Sequence, residues 1–451
     1  MSESTALPGL ARACVSASNL SRLARGAMLA LVLQVAGAGL TYALYVALAH
    51  WAGTESFGAY SYALAWATVL SVVAGLGLPE AAVRFVPQLR SQGLLDGLLG
   101  FIRVGRAIIL GASLIASAAG TAAVAIIGGD HFPGGLATAV PGFWLVPVAA
   151  LILFEANISR SLGKVTSAYG PMLVMRPLGV ILVAAIVAYG TNRLSAAAAV
   201  WSAFGVFAAV ALLQVGLVNR QVRSLGRAAQ TSYDTRAWMS VSIPLLLVTG
   251  FQVLLAQTDV IIVGAVGGAH DAALYNAATK TAILVAYVLG AIEFVAAPTF
   301  ATLLGGRNMD ELQRLVKRAA KWVFWPSLGI AVVIAVAAPL VLRLFGPDFT
   351  AARWPLTILV GAQLVNAAFG SVGYILTLSG HQNVVARVYA ATALFNVVSC
   401  YVLTRSFGLT GAAVATALSI ALSNAWLNES TIRHVGVHAS LLYAVRRRRV
   451  P

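Results

Sequence analysis

The run SIPLLLVTGFQVLLAQTDVIIVGAVGG (242–268) and, after a short turn, the run ALYNAATKTAILVAYVLGAIEFVAAPTF (273–300) decide the fold of this chain. Each run is long enough to cross a hydrocarbon layer of ~30 Å at ~1.5 Å per residue. Asp259 lies in the first run and Lys280 in the second, although an ionisable side chain inside a bilayer is costly unless it is paired or hydrated. We therefore expect Asp259 and Lys280 to lie at similar depth and to interact, either as a purely structural ion pair or as part of a substrate site.

The composition excludes an ordinary soluble domain. Hydrophobic residues make up 60% and charged residues 10% of the 451 residues, and the mean hydropathy is +0.87. Soluble domains, in contrast, carry about 25% charged residues. In a soluble chain, a net charge of +16 would suggest a nucleic-acid partner. Here the basic residues lie in short segments between apolar runs, which favours membrane topology and attraction to anionic lipids over nucleic acid.

The hydropathy pattern predicts an all-α polytopic membrane protein with about twelve membrane-spanning helices. We place them near 28–50, 58–79, 107–127, 137–156, 173–190, 195–218, 242–265, 274–299, 323–344, 355–378, 386–404 and 410–429. Glycine and proline are frequent inside these segments, so bent or broken helices are expected.

The distribution of basic residues predicts the orientation. Twenty-five of the 30 Lys and Arg residues, Arg176 among them, fall on the side of the two tails, and four fall on the opposite side. Because positive residues stay on the cytoplasmic side, both termini are expected to be cytoplasmic. Met1 to Arg25 contains no apolar core with a cleavage site, so this tail, which holds Cys14, is expected to be retained. Cys400 is expected to be buried in a span, and no disulfide is expected.

The two halves of the chain look like a repeat. A shift of about 215 residues aligns FGAYSYALAWATVLSVV (57–73) with AALYNAATKTAILVAYV (272–288) and places Tyr60 on Tyr275. Six spans per half would make the copies parallel, related by an axis along the membrane normal, with a cavity between them. The expected divisions are a cytoplasmic N-terminal tail (1–26), a first six-helix bundle (27–218), a cytoplasmic linker (219–241), a second six-helix bundle (242–430) and a basic cytoplasmic tail (431–451).

The segment 308–323 is amphipathic. Apolar residues from Met309 to Val323 recur at helical spacing, while Arg314, Lys317, Arg318 and Lys321 fill the opposite face. Asn308 is expected to cap this helix together with Glu311. The pattern predicts a helix that lies on the membrane surface rather than crossing it, either as an anchor or as a lipid receptor.

Several motifs together resemble one family. QTD (257–259), LYNAA (274–278), GLGLPEAAVRFVPQL (75–89), RSLGK (160–164) and LFGPDF (344–349) are similar to segments of the Wzx-type oligosaccharide flippases and polysaccharide exporters of the multidrug/oligosaccharidyl-lipid/polysaccharide (MOP) superfamily. The resemblance implies a MATE-like architecture and a substrate that is a polyprenyl-diphosphate-linked oligosaccharide. Such a flippase would move this lipid from the inner to the outer leaflet of a bacterial inner membrane by alternating access, for cell-surface or exopolysaccharide biosynthesis.

Other functions stay open at this point. A cation-coupled multidrug exporter of the MATE type is the main alternative, and a membrane-embedded scaffold for glycan assembly is another. A proton or sodium as coupling ion is permitted but not required, and a glycan polymerase and glycosyltransferases are open as partners. The chain has no nucleotide-binding G-x-x-x-x-G-K-[ST] loop, no metal-ligand spacing and no nucleophile–base set. We therefore expect a transporter rather than an enzyme, without a cofactor or metal.

The candidate site residues are cations for a diphosphate and polar groups inside the spans. Arg84 is the first choice because it lies in the PEAAVRF motif and because a guanidinium offers a planar fork of donors. The expected head-group cations are Arg84, Lys280, Arg22 and Arg25, with Arg103 and Arg106 at the same mouth, and the expected cavity or coupling residues are Asp259, Gln257, Asn276, Glu293 and Gln34.

Overall fold

The computed structural model describes residues 17–226, 234–306 and 308–440, with side chains from residue 28 onward apart from Asp130, Phe294, Ala297 and Pro298. Every regular element in these ranges is helical. The α-helices are Ala17–Ala74, Leu78–Ser91, Leu95–Ile127, Gly135–Ser161, Val165–Tyr169, Arg176–Thr191, Ala196–Arg223, Thr235–Gly305, Met309–Val336, Ala338–Arg343, Arg353–Phe369, Val372–Leu378 and Gln382–Val435. A π-helical turn, Gly170–Met175, joins two of them, and Gly129–His131 and Pro347–Ala352 are short 3-10 helices.

Three of the long helices are hairpins. Each is interrupted by one glycine with non-helical φ and ψ: Gly53, Gly268 or Gly408. Side chains on the two sides of each glycine meet, which shows that the chain reverses there. The contacts are Tyr45 with Phe57 (ring centroids 6.2 Å apart), Tyr275 with Asp259 (3.4 Å) and Asn396 with Ser419 (3.2 Å).

With these reversals, the described part of the chain contains twelve spans, as predicted. Eight helices are long and apolar enough to cross a membrane; three of them count twice, and a pair bent by 44° adds one more. We number the spans in chain order: 17–52, 54–74, Leu95–Ile127, Gly135–Ser161, Val165–Thr191, Ala196–Arg223, 235–267, 269–305, Met309–Val336, Pro347–Phe369 with Val372–Leu378, 382–407 and 409–435.

The helices around the predicted linker are longer than expected. Span 6 ends at Arg223 rather than near 218, and span 7 begins at Thr235 rather than at 242. Residues 227–233 of this linker lie outside the described residues. We propose that the boundary between the two six-helix bundles lies between Arg223 and Thr235.

The halves are related as the repeat predicts. The two breaking glycines, Gly53 and Gly268, are 215 residues apart, the same shift that aligns the sequences. Asn276 donates a hydrogen bond of 2.8 Å to Ser61, which is its equivalent position in the first half. Equivalent positions meet only near a twofold axis, because the axis carries each of them onto the other. The contact therefore places a pseudo-twofold axis between spans 2 and 8.

The amphipathic segment does not lie on a membrane as a separate helix, so that prediction is wrong. It forms the first turns of span 9, which continues without interruption to Val336. Its apolar face is covered by protein: Leu312 is 0% and Val316 3% exposed, and both pack in a cluster with Phe300 and Ile375. A face that packs on its own protein is unavailable to lipid. The predicted cap is confirmed, because Asn308 accepts a hydrogen bond from the backbone of Glu311.

The two halves are joined at the end where the chain turns at Gly53 and Gly268, which we call the closed end. Thr54 donates a hydrogen bond of 3.0 Å to Asp348 across the halves. Below it, the ring of Phe57 contacts the rings of Phe345 and Phe349, with centroids 6.4 Å and 6.0 Å apart. These three rings are at most 1% exposed. The LFGPDF motif (344–349) therefore forms part of the closure.

Candidate functional site

The first half contains a cavity of about 310 Å³. Tyr45 of span 1, Tyr60 of span 2, Arg176 of span 5 and Phe207 of span 6 line it, and Gln257 of span 7 contributes from the second half. The role of Gln257 as a cavity or coupling residue stays a prediction. Among the residues that line this cavity, Arg176 is the ionisable group with a full charge at neutral pH.

Arg176 is the functional candidate that sequence reasoning missed. It was counted with the basic residues of the cytoplasmic side, but it lies 11 residues into span 5, or ~17 Å at ~1.5 Å per residue. Its guanidinium lies 4.9 Å from the ring centroid of Phe207. Among the described residues, no carboxylate forms an ion pair with it. The signal in the sequence was a single arginine inside an apolar run, between Pro171 and Pro177.

The π-helical turn explains how span 5 presents this arginine. Gly170–Met175 carries an extra residue per turn relative to the α-helix that follows, and Pro171 and Pro177 lack the N–H that a regular ladder would use. Such a turn rotates the following helix, and π-turns are common at functional sites. The turn therefore favours the placement of Arg176 on the cavity side.

Lys280 also reaches toward the first half. Its Nζ lies 5.5 Å from the ring centroid of Tyr45, which is the tyrosine that lines the cavity with Arg176. A cation–π contact of this kind contributes ~0.5–2 kcal/mol and leaves the charge of the lysine intact. Arg176 of the first half therefore lines the cavity together with Tyr45, and Lys280 of the second half contacts that tyrosine.

The expected interaction between Asp259 and Lys280 is wrong, since the two form no ion pair in the described structure. Asp259 instead faces its own half, where it accepts hydrogen bonds from Thr416 (2.7 Å) and Tyr275 (3.4 Å). Tyr275 and Lys280 are five residues apart on one helix, which turns them ~140° from each other at ~100° per residue. The two side chains therefore leave their helices toward different neighbours.

Asp259 is buried, and one of its carboxylate oxygens accepts no hydrogen bond from the described residues. The side chain is 3% exposed, and its Oδ1 has no hydrogen-bond partner among the described atoms. Asn396 lies beside this carboxyl group, and its Oδ1 is also unpartnered. Two buried acceptor oxygens without a donor can be satisfied by a proton or by a small cation.

The other predicted polar residues have different positions. Asn276 is 3% exposed, and its side chain donates a hydrogen bond to Ser61 of the first half. It therefore joins the two halves rather than lining a cavity. Glu293 lies beside Ser371 of span 10 and near Tyr389 of span 11. Gln34 is half-buried in span 1 and does not line the cavities described here.

The basic residues that were predicted to bind the head group at the cytoplasmic end of the first half differ in their surroundings. Arg84 is exposed on the short helix Leu78–Ser91. Arg106 is neutralised, because its guanidinium holds both oxygens of Glu155 at 2.6 Å and 2.8 Å and also donates to Asn219. The side chains of Arg22 and Arg25 lie outside the described residues, as does Cys14, whereas Cys400 is buried as predicted.

A second cavity, of about 290 Å³, lies in the second half. Its lining is rich in amides and hydroxyls, from spans 7, 8, 10, 11 and 12. The polar lining residues are Gln252, Asp259, Thr279, Gln363, Asn366, Tyr389, Thr416, Ser423 and Asn424. Neighbouring residues of spans 7 and 8 face different cavities: Gln257 lines the first cavity while Ala256 lines the second, and Thr279 lines the second while Lys280 reaches Tyr45.

Comparison with solved structures shows the fold. The chain resembles an inward-facing multidrug resistance MATE family transporter of the MOP superfamily, with a TM-score of 0.73 and 14% identity over 92% of this chain and 96% of that one. An outward-facing MATE family transporter gives 0.60 at 16% identity, over 91% and 96%. A variant of the Vibrio cholerae MATE transporter VcmN gives 0.60 at 15% identity, over 92% and 98%.

Comparison of sequences shows the family. A family model described as "Polysaccharide biosynthesis protein" matches residues 23–304, and one described as "MatE" matches residues 244–402. A probable low-salt glycan biosynthesis flippase, Agl15 of Haloferax volcanii, is 35% identical over 79 residues, which span 18% of this chain and 17% of that relative. The first match covers more than half of the chain, which therefore belongs to the polysaccharide biosynthesis protein family and is a transporter of the MOP superfamily.

Proposed function

We propose that this transporter moves a polyprenyl-diphosphate-linked oligosaccharide from the inner to the outer leaflet of a bacterial inner membrane. The observation that carries the proposal is a pair of cations inside the membrane-spanning region, one from each half: Arg176 lines the first cavity, and Lys280 contacts Tyr45 of the same lining. Cations without an acidic partner are costly at this depth unless water or an anion reaches them. A diphosphate with two negative charges is an anion that matches two cations.

The physical need for a protein is clear for such a lipid. Its polyprenyl chain is soluble in the hydrocarbon core of the bilayer. Its sugars and its diphosphate would lose their hydrogen bonds to water in that core. A net charge of −2 that moves outward down an inside-negative potential of about 100 mV gains ~4–5 kcal/mol. Flipping can therefore proceed without an energy source of the protein's own, provided that the charged group has a polar route.

The closed end fits the outer side of the membrane. The predicted orientation places Gly53 and Gly268 outside and both termini in the cytoplasm, in agreement with the 24 basic residues that remain on the tail side without Arg176. Between residues 28–41 of span 1 and 288–293 of span 8, the described side chains form no hydrogen bond, ion pair or ring contact. We infer that a lipid head group enters from the cytoplasmic leaflet between these two spans, and that membrane lipids occupy this opening otherwise.

Binding of a diphosphate tests the proposal without any need for transport. Purified protein should bind polyprenyl diphosphate in detergent, with quenching of its tryptophan fluorescence as the signal. Inorganic pyrophosphate should compete, because the proposed site recognises the diphosphate, and neutral polyprenol should bind at least tenfold more weakly, since the loss of one charge-assisted contact costs ~1.5–3 kcal/mol. Equal affinity for polyprenol and polyprenyl diphosphate would contradict the proposal.

Asp259 is the residue that we propose for ion coupling. Its unused oxygen and that of Asn396 offer acceptors for a proton or Na⁺, and an ion held there would bind tightly only in one conformation of spans 7, 11 and 12. Transport into proteoliposomes should respond to an imposed gradient of one of these two ions in the wild type. Asp259→Asn should remove that response and leave the gradient-independent rate; a response that survives in Asp259→Asn would exclude this role.

A multidrug exporter remains the second candidate, favoured by the MatE match to residues 244–402 and by the MATE-like fold. An organic cation would be repelled by Arg176 in the first cavity but attracted by Asp259 in the second. The two functions therefore predict opposite substrate charges. We propose the anionic substrate because Arg176 lines the first cavity without an acidic partner among the described residues, and Lys280 contacts Tyr45 of that lining.

A further inference from the structure

The two cavities differ in charge. The first is lined by Arg176, with Lys280 close by and no carboxylate among its lining residues. The second is lined by Asp259, with Glu293 near its Tyr389 and no lysine or arginine among its lining residues. A diphosphate is attracted to the first cavity and repelled by the second. A ligand of the second cavity is therefore neutral or cationic.

The second cavity also has unusual hydrogen-bonding groups for a membrane interior. Four carboxamides line it, those of Gln252, Gln363, Asn366 and Asn424. Asn424 donates to Asn366 across 3.0 Å, and Gln252 lies beside Tyr389, so these groups help to hold the spans together. The carboxamide of Gln363 has no hydrogen-bond partner in the described residues, although it offers two donors and an acceptor. Unpartnered amides inside a protein imply water or a polar ligand.

Carboxamides and hydroxyls on several sides of a small cavity suit a polyhydroxylated ligand. A carboxamide can donate to one sugar hydroxyl and accept from its neighbour, and it does so without a net charge. The volume of about 290 Å³ lies near the lower limit of roughly 300 Å³ for small-molecule sites. This size suits one or two sugar units rather than a long glycan.

The position relative to the cations is also suitable. Thr279 and Lys280 are consecutive residues of span 8, and one lines the second cavity while the other reaches Tyr45. The second cavity therefore borders the same turn of span 8 that carries Lys280, whose side chain leaves the helix ~100° from that of Thr279. A lipid with its diphosphate at Arg176 and Lys280 can place the first sugars of its glycan beside span 7 and span 8.

We propose that the second cavity is a glycan subsite, in which Gln363 binds a neutral sugar near the diphosphate end of the lipid-linked oligosaccharide. This inference rests on the proposed function. It divides the substrate between the halves: the first half, with Lys280, holds the diphosphate, and the second half recognises the sugar. The diphosphate of the lipid anchor and the sugar of the glycan would thus be bound by different halves of the protein.

Affinity measurements with two classes of lipid test the subsite. The probes are polyprenyl diphosphate and its conjugates with glucose, galactose or N-acetylglucosamine, titrated into the purified full chain. At least one conjugate should bind about tenfold tighter than polyprenyl diphosphate, as expected for one or two neutral hydrogen bonds. Gln363→Leu should abolish that advantage and leave the affinity for polyprenyl diphosphate within about twofold. Gln382→Leu, at an exposed glutamine outside the cavity, is the matched control.

The outcomes separate the two proposals. If the wild type binds none of the lipids, the proposed function fails, and the subsite fails with it. If the wild type binds all four with equal affinity, or if Gln363→Leu keeps the preference for sugar, only the subsite is overturned. If Gln363→Leu weakens all four equally, Gln363 is a structural residue and the subsite is also overturned. Arg176→Gln, by contrast, should weaken binding of all four lipids together.

Discussion

A covalent link across the closed end is expected to stop transport. Thr54→Cys with Asp348→Cys, in a chain that also carries Cys14→Ser and Cys400→Ala, places two thiols where a hydrogen bond of 3.0 Å now joins the halves. A short bifunctional methanethiosulfonate reagent should join them in most molecules. Alternating access requires this end to open, so the linked protein should lose nearly all transport, and reduction should restore it.

The aromatic contacts below this hydrogen bond set the stability of the closed state. Phe345 and Phe349 are each 1% exposed and pack on Phe57 of the first half. Truncation of a buried phenylalanine to alanine costs ~3–5 kcal/mol, and the part that arises between the halves is lost only from the closed state. Phe345→Ala should therefore lower the yield of the link, because the two thiols spend less time together.

Single-cysteine variants serve as controls for the reagent itself. They should keep normal transport before and after treatment, because one thiol cannot form a bridge between the halves. A linked double variant that transports at the rate of the wild type would show that the closed end does not open. Alternating access between the halves would then be excluded for this chain.

Loss of the cation in the first cavity is expected to have the second largest effect. Arg176→Met provides an apolar side chain but removes the only positive charge among the described residues that line the cavity. Removal of one partner of a buried charge pair costs ~2–5 kcal/mol, so affinity for polyprenyl diphosphate should fall roughly 30- to 5,000-fold. Arg176→Lys should recover only part of it, because an ammonium lacks the planar fork.

A matched variant controls for nonspecific effects of charge loss. Arg387 is exposed on span 11 and lies outside both cavities, so Arg387→Met should bind polyprenyl diphosphate like the wild type. Thermal unfolding and gel filtration should show that Arg176→Met is folded and monodisperse. A folded Arg176→Met protein with unchanged affinity would remove this arginine from the site.

Much of the fold follows from patterns that can be read along the sequence without knowledge of tertiary contacts. Hydropathy predicted the twelve spans. The sequence shift of 215 residues predicted the repeat, and the breaking glycines Gly53 and Gly268 are separated by the same 215 residues. These features depend on chain length and local composition, which a sequence contains directly. The capping role of Asn308 is likewise local, and it was predicted correctly.

The errors concern which neighbour a side chain faces. Asp259 and Lys280 were paired by depth alone, but rotation about the helix axis directs them to Thr416 and Tyr45. The apolar face of the segment 308–323 was assigned to lipid, because periodicity shows that a face is buried without showing what covers it. Arg176 was counted with the basic residues of the cytoplasmic side because it lies near the start of the predicted span 173–190. In each case the deciding information is tertiary.

Transport in proteoliposomes shows directly whether the protein moves a polyprenyl-diphosphate-linked sugar across a membrane. The wild type, reconstituted with a fluorescent polyprenyl-diphosphate-linked sugar in the inner leaflet, should bring that lipid to the outer leaflet, where membrane-impermeant dithionite bleaches it. Empty liposomes and liposomes with Arg176→Met should show little such movement, and efflux of ethidium should be no faster with the wild type than without protein. Ethidium efflux without movement of the lipid would contradict the proposed flippase function and identify the chain as a multidrug exporter.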